Sequence, residues 1–137
     1  MAEDAGLSYR TAVAVEPGLS GRATLVVGEN DTALAMRSGD VPVLATPRLI
    51  ALCEEAACRA VADTLGEGRT SVGVRVQFDH LAPIRTGSEV TAEATVEKVE
   101  GRRLVFTVTA ADSAGLVGAG KVTRVIVATA DFLAKAR

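Results

Sequence analysis

The sequence predicts an α+β protein in which one long central helix is wrapped by a curved antiparallel sheet. Three observations predict it. A single strong helical stripe begins at Thr46, strand-length segments of alternating apolar and polar residues follow it at regular spacing, and tight turns separate those segments.

Residues 1–19 are mixed in character and carry Pro17 and Gly18, which predicts a loosely ordered start with one short strand at Thr11–Val15. Arg22–Val27 is rich in strand formers and stops at Gly28. Glu29-Asn30-Asp31 is turn-like and suited to cap a short helix through Met36, and Ser38–Val43, with Gly39, Asp40 and Pro42, reads as a loop. The long helix starts with Thr46 as N-cap and Pro47 as first helical residue, where a missing backbone donor costs nothing, and runs to about Thr64 before Gly66 and Gly68. Leu49, Ile50, Cys53, Ala56, Ala57, Ala60 and Val61 share one face, with Arg48, Glu55 and Arg59 opposite.

Val72, Val74, Val76, Phe78 and His80 alternate with Gly73, Arg75, Gln77 and Asp79, the period of a half-buried strand facing the helix. Val90, Ala92, Ala94 and Val96 repeat the pattern, and Arg103–Ala111 follows across the Glu100-Gly101 turn as a hairpin. A turn at Asp112–Gly115 leads to Leu116–Ala128, whose Gly118 and Gly120 allow a neighbour or ligand to approach the backbone. One strand, one helix and a four-strand meander result. The exposed sheet edge calls for protection, and edge-to-edge pairing in a homodimer provides it.

All 137 residues fit a single domain. With three Phe, one Tyr and no Trp the core must be aliphatic, and stacking platforms for bases are missing. A net charge of -2 without a run of Lys or Arg argues against nucleic acid. No apolar stretch approaches the roughly 20 residues of a membrane span, and Met1–Arg10 lacks the apolar segment of a secretory signal, so a cytoplasmic protein is expected. Cys53 and Cys58 stand about 140° apart around the helix, too divergent to bridge, and no His lies near them in sequence to complete a metal site.

Three residues carry the candidate chemistry. Glu54 borders the apolar stripe, whereas Glu55 points outward. His80 is the one histidine, continues the inward face of its strand and is the best available general base, though such a residue also serves as a structural side chain. Thr46 reads as a cap, yet its hydroxyl also sits beside unpaired backbone N–H groups at the positive end of the helix dipole, where an anionic intermediate is favoured.

With Ala45-Thr46, Glu54-Glu55-Ala56, Gly66-Glu67-Gly68, Ser71-Val72-Gly73, His80, the stretch Val99–Leu104 and Gly118-Ala119-Gly120, the chain resembles the hot-dog-fold thioesterases, most closely the fluoroacetyl-CoA thioesterase branch. The match spans about residues 40 to 130 and repeats the spacing of eight from Thr46 to Glu54 and of 26 from Glu54 to His80. The resemblance implies hydrolysis of an acyl-CoA or acyl-carrier thioester, with Thr46 as the active hydroxyl, Glu54 attacking or orienting water, and His80 as acid or base for the leaving thiolate. It further implies Gly73 as a backbone donor to the thioester oxygen, a dimer with its sites near the interface, and no cofactor beyond the CoA of the substrate. Arg102, Arg103, Lys121 and Arg124 are the candidate partners of the CoA phosphates, with Arg124 sharing the parity of buried Val122 and Ile126. A non-catalytic acyl-CoA or acyl-carrier binding module is the alternative. A hydratase would need a paired Asp and His, which Asp79 and His80, of opposite parity, do not supply. The Met36–Ala45 loop departs from the fluoroacetyl specialist in lacking aromatics, which predicts a pocket walled by Leu44, Leu49, Ile50 and Val76 and by backbone around Gly39, open to short, medium or branched acyl chains and without fluoroacetyl preference.

Overall fold

The computed structural model describes residues 15–137, so the expected strand at Thr11–Val15 lies, but for Val15, outside the described residues. Five strands, β1 (Ser20–Val26), β2 (Arg69–His80), β3 (Glu89–Glu100), β4 (Arg103–Asp112) and β5 (Gly115–Ala128), form one antiparallel sheet in the order β1-β3-β4-β5-β2. The strands β3, β4 and β5 are consecutive hairpins. The fourth strand of the expected meander departs from it: β2 pairs with β5 at one edge, while β1 takes the place beside β3.

A short helix α1 (Ala33–Met36) follows a single 3-10 turn at Glu29–Asp31, and Thr32, not that turn, caps it by accepting a bond from the Ala35 N–H. The long helix α2 spans Thr46–Val61 and continues as a 3-10 turn to Thr64. Its buried face holds Leu49, Leu52, Cys53, Ala56, Ala57, Ala60 and Val61. Leu52 joins the expected stripe, and Ile50 lies only partly buried. The alanines let β1 come close: a Cβ on Gly21 would run into the backbone of Ala56 and Ala60. Val90, Ala92, Ala94 and Val96 of β3, with Leu104, Phe106 and Val108 of β4, complete an almost wholly aliphatic core. A final helix, α3 (Thr129–Ala134), ends the chain. No helix among the described residues is long and apolar enough to cross a membrane.

The edge strand β2 departs most from its expected pattern. Its pairing with β5 steps from Gly73 opposite Arg124 to Arg75 opposite Thr123, so Val74 is the extra residue of a bulge. One inserted residue reverses parity. Before the bulge Ser71 and Gly73 face the helix, and after it His80 does. Val72 and Val74 therefore do not continue the inward face of His80, and Val74 and Val76 are 51% and 38% exposed because α2 packs mainly on β1 and β3.

Candidate active site

Two side-chain clusters lie where α2 meets β2. At the start of α2, the cap position is held by Ala45, and Thr46 is already helical. Its hydroxyl is therefore free of the capping role expected of it, and Thr46 Oγ1 lies 2.8 Å from His80 Nδ1. The Thr46 and Arg48 N–H groups in this first turn have no intrahelical acceptor, and Pro47 carries no N–H, so the dipole's positive end is open beside the hydroxyl. The other imidazole nitrogen, Nε2, is enclosed and has no hydrogen-bond partner among the described residues. A cavity of about 370 Å³ opens against this pair.

That cavity corrects the expected pocket. Of the anticipated walls Leu44 and Gly39 line it, together with Ser38, Asp40 and Leu81. Leu49 is fully buried in the core, while Ile50 and Val76 line neither side of this opening. The loop is fixed in place by backbone bonds from Ala33 N to Val43 O and from Leu44 N to Ile84 O.

Two turns further along α2, Glu54 belongs to the second cluster. Its Oε2 accepts a 3.0 Å bond from Arg124 Nη1, and it crowds Gly73 so closely that a Cβ there would collide with the carboxylate. Arg124 is only 7% exposed, and Ser71 accepts from it twice, through Oγ at 2.9 Å and through the backbone oxygen at 2.7 Å. Burial of Cys53, with a smaller contribution from the Glu54 charge, pushes its thiol up to about 11, so the adjacent sulfur is a neutral core side chain.

The sequence-predicted residues thus fall into pairs. Thr46 and His80 meet, and Glu54 and Gly73 meet. Within one chain the pairs are apart: eight helical residues separate Thr46 from Glu54 by about 12 Å, and seven strand residues separate Gly73 from His80 by about 20 Å. Arg124, expected at the CoA phosphates or buried with Val122 and Ile126, is a buried partner of Glu54. Lys121 lies on the sheet face away from the helix and pairs there with Glu97 at 3.1 Å. Both Arg102 and Arg103 are exposed at the β3–β4 turn, level with Val72 and thus at the opposite end of β2 from His80. Sequence reasoning gave Ser71 no role beyond its place in the Ser71-Val72-Gly73 match, because the bulge that turns it to the helix side shows only in the pairing of β2 with β5. The described residues hold no cluster of three or more His, Cys, Asp or Glu side chains able to bind a metal.

Comparison with known proteins gives a consistent answer. The family model described as fluoroacetyl-CoA-specific thioesterase matches residues 27–130. A fluoroacetyl-CoA thioesterase of Streptantibioticus cattleyicolor is 37% identical over 95 residues, covering 69% of this chain and 68% of the relative. A crystal structure of the fluoroacetyl-CoA thioesterase superposes with a TM-score of 0.82 at 30% identity, over 88% of this chain and 94% of that one. A thioesterase superfamily member from Thermus thermophilus gives 0.80 at 31% identity, over 88% and 89%. The architecture, a long helix in a curved antiparallel sheet, is the hot-dog fold.

Proposed function

The chain belongs to the fluoroacetyl-CoA-specific thioesterase family and is an acyl-CoA thioesterase, and from that premise we propose that Thr46, Glu54 and His80 perform its chemistry as a site divided between two copies of the chain. The observation that carries the reading is the Thr46–His80 bond at a helix N-terminus, with Glu54 held over Gly73 at the far end of the same edge strand. The outer edge of β2, unpaired among the described residues, and its exposed Val74 and Val76 favour antiparallel pairing with a second β2 in a homodimer. A two-fold axis between Val76 and Gln77 sets Gly73 opposite the partner's His80. Glu54 then reaches the hydroxyl and imidazole that its own chain holds too far away.

In this site the thioester oxygen lies at the α2 N-terminus beside the Thr46 hydroxyl, with backbone N–H groups stabilising the oxyanion as it forms. Glu54, with Oε2 engaged by Arg124, uses Oε1 to take a proton from water, and the water oxygen bonds to the acyl carbon. The tetrahedral intermediate collapses, the C–S bond breaks, His80 delivers a proton to the departing thiolate, and the proton that Glu54 took from water passes back to His80 to restore both groups. The same pairing brings the Arg102-Arg103 turn towards the partner's Thr46, where those guanidinium groups suit CoA phosphates. Substrate is an acyl-CoA met in the cytoplasm, and the chemistry calls for no cofactor.

Mixing two inactive variants tests the division. Glu54→Gln and His80→Ala homodimers should each lose turnover of an acyl-CoA, measured as free thiol. After subunit exchange, half the dimers are mixed and each holds one intact site, so about one quarter of wild-type activity should return. No recovery, with mixed dimers present by native mass spectrometry, places the group within one chain and overturns the proposal.

A further inference from the structure

We propose that Arg124 is a positioning residue for the Glu54 carboxylate and that Ser71 locks Arg124 in that role; this rests on Glu54 being the reacting carboxylate. The argument begins with the bulge. Because Val74 is extra on β2, the strand before it turns Ser71 and Gly73 to the helix side, with Gly73 directly opposite Arg124 on β5 and Ser71 opposite Ile126. Arg124 Nε and Nη2 are both spent on Ser71, one on the hydroxyl and one on the carbonyl, which fixes the plane of the guanidinium. Only then does Nη1 point at Glu54, engaging Oε2 at 3.0 Å.

Three constraints hold Glu54. The guanidinium grips one carboxylate oxygen, Gly73 closes the side where a Cβ would stand, and α2 fixes the backbone. A carboxylate so gripped presents Oε1 in one direction, which is what a base aimed at a single water requires. Arg124 itself, at 7% exposure and with three bonds made, is not placed to meet a substrate phosphate. A buried Arg with a partly exposed Glu is a poor arrangement for stability alone, because desolvation of the charge offsets much of the attraction.

The test uses Arg124→Lys, Ser71→Ala, Glu54→Gln and the double variants of each with Glu54→Gln, assayed for kcat, KM and Tm. A lysine keeps the charge but cannot bond Ser71 twice while reaching Glu54. Arg124→Lys should lower kcat by about 100-fold and Ser71→Ala by about tenfold, with KM within about twofold in both. In the Glu54→Gln background neither change should lower kcat further, because the group being positioned is already lost. Should Arg124→Lys fail to fold, Ser71→Ala and its double variant decide alone. A raised KM with unchanged kcat makes Arg124 a substrate contact and overturns the proposal. Losses that multiply in the Glu54→Gln background overturn it too, since a merely structural residue behaves that way. Full activity of Glu54→Gln would instead remove Glu54 from the site, a failure of the functional reading that this set tells apart.

Discussion

Replacing Thr46 by alanine separates a helix cap from a reacting hydroxyl. A capping threonine contributes about 1 kcal/mol, and for a chain of this size its loss lowers Tm by about 3–4 °C. Here Ala45 occupies the cap position and the Thr46 hydroxyl bonds His80. The substitution therefore removes one exposed hydrogen bond, at a cost of about 0.5–1 kcal/mol, while alanine recovers several tenths of a kcal/mol as the better helix former. These nearly cancel, and Tm should stay within about 2 °C. Activity should not. Without the hydroxyl, His80 loses the contact that orients its ring, and kcat/KM should fall by about 100-fold, with Thr46→Ser restoring most of it. Thermal unfolding and thiol release measured on the same preparations decide: a Tm drop of several degrees with unimpaired turnover refutes the reasoning and returns Thr46 to a cap.

Other outcomes follow from the same geometry. Gly73→Ala drives a Cβ into Glu54 and should detach the carboxylate from Arg124, costing about 1–3 kcal/mol of stability and about 100-fold in kcat; wild-type kinetics in this variant would contradict the close contact. Cys53 is raised from 9.0 to about 11 in the folded chain, so its burial stabilises the fold fully below pH 9 and that contribution, about 2–3 kcal/mol, is lost as pH climbs from 9 to 11. Thermal melts across that range should fall more steeply for the native chain than for Cys53→Ala, and identical curves would exclude it. Substituting Arg102 and Arg103 together should raise KM for an acyl-CoA without altering Tm; an unchanged KM removes them from the phosphate site. Because no aromatic side chain among the described residues walls the cavity beside Thr46 and His80, fluoroacetyl-CoA should hold no large advantage over acetyl-CoA, and strong selection for the fluorinated ester in a side-by-side assay would overturn this.

Local periodicity determined a good deal. The helix over Thr46–Val61 and the strands over Val90–Val96 and Arg103–Ala111 follow from 3.6- and 2-residue repeats, because such faces bury only against a matching layer. The same periods single out Glu54 at the border of the apolar stripe, and they give Arg124 the parity of Val122 and Ile126, the one sign in the sequence that it is buried. Which residues meet was decided only by the tertiary structure. Strand order put β2 beside β5 and, among the described residues, left its other edge open, a choice made by packing between segments some fifty residues apart. A single extra residue at Val74 turned Gly73 and His80, of opposite parity, to the same side of the sheet. A period-2 reading cannot see that, because a bulge shows only in the register with the partner strand, here β5 with Arg124 bonded to Ser71 and Glu54.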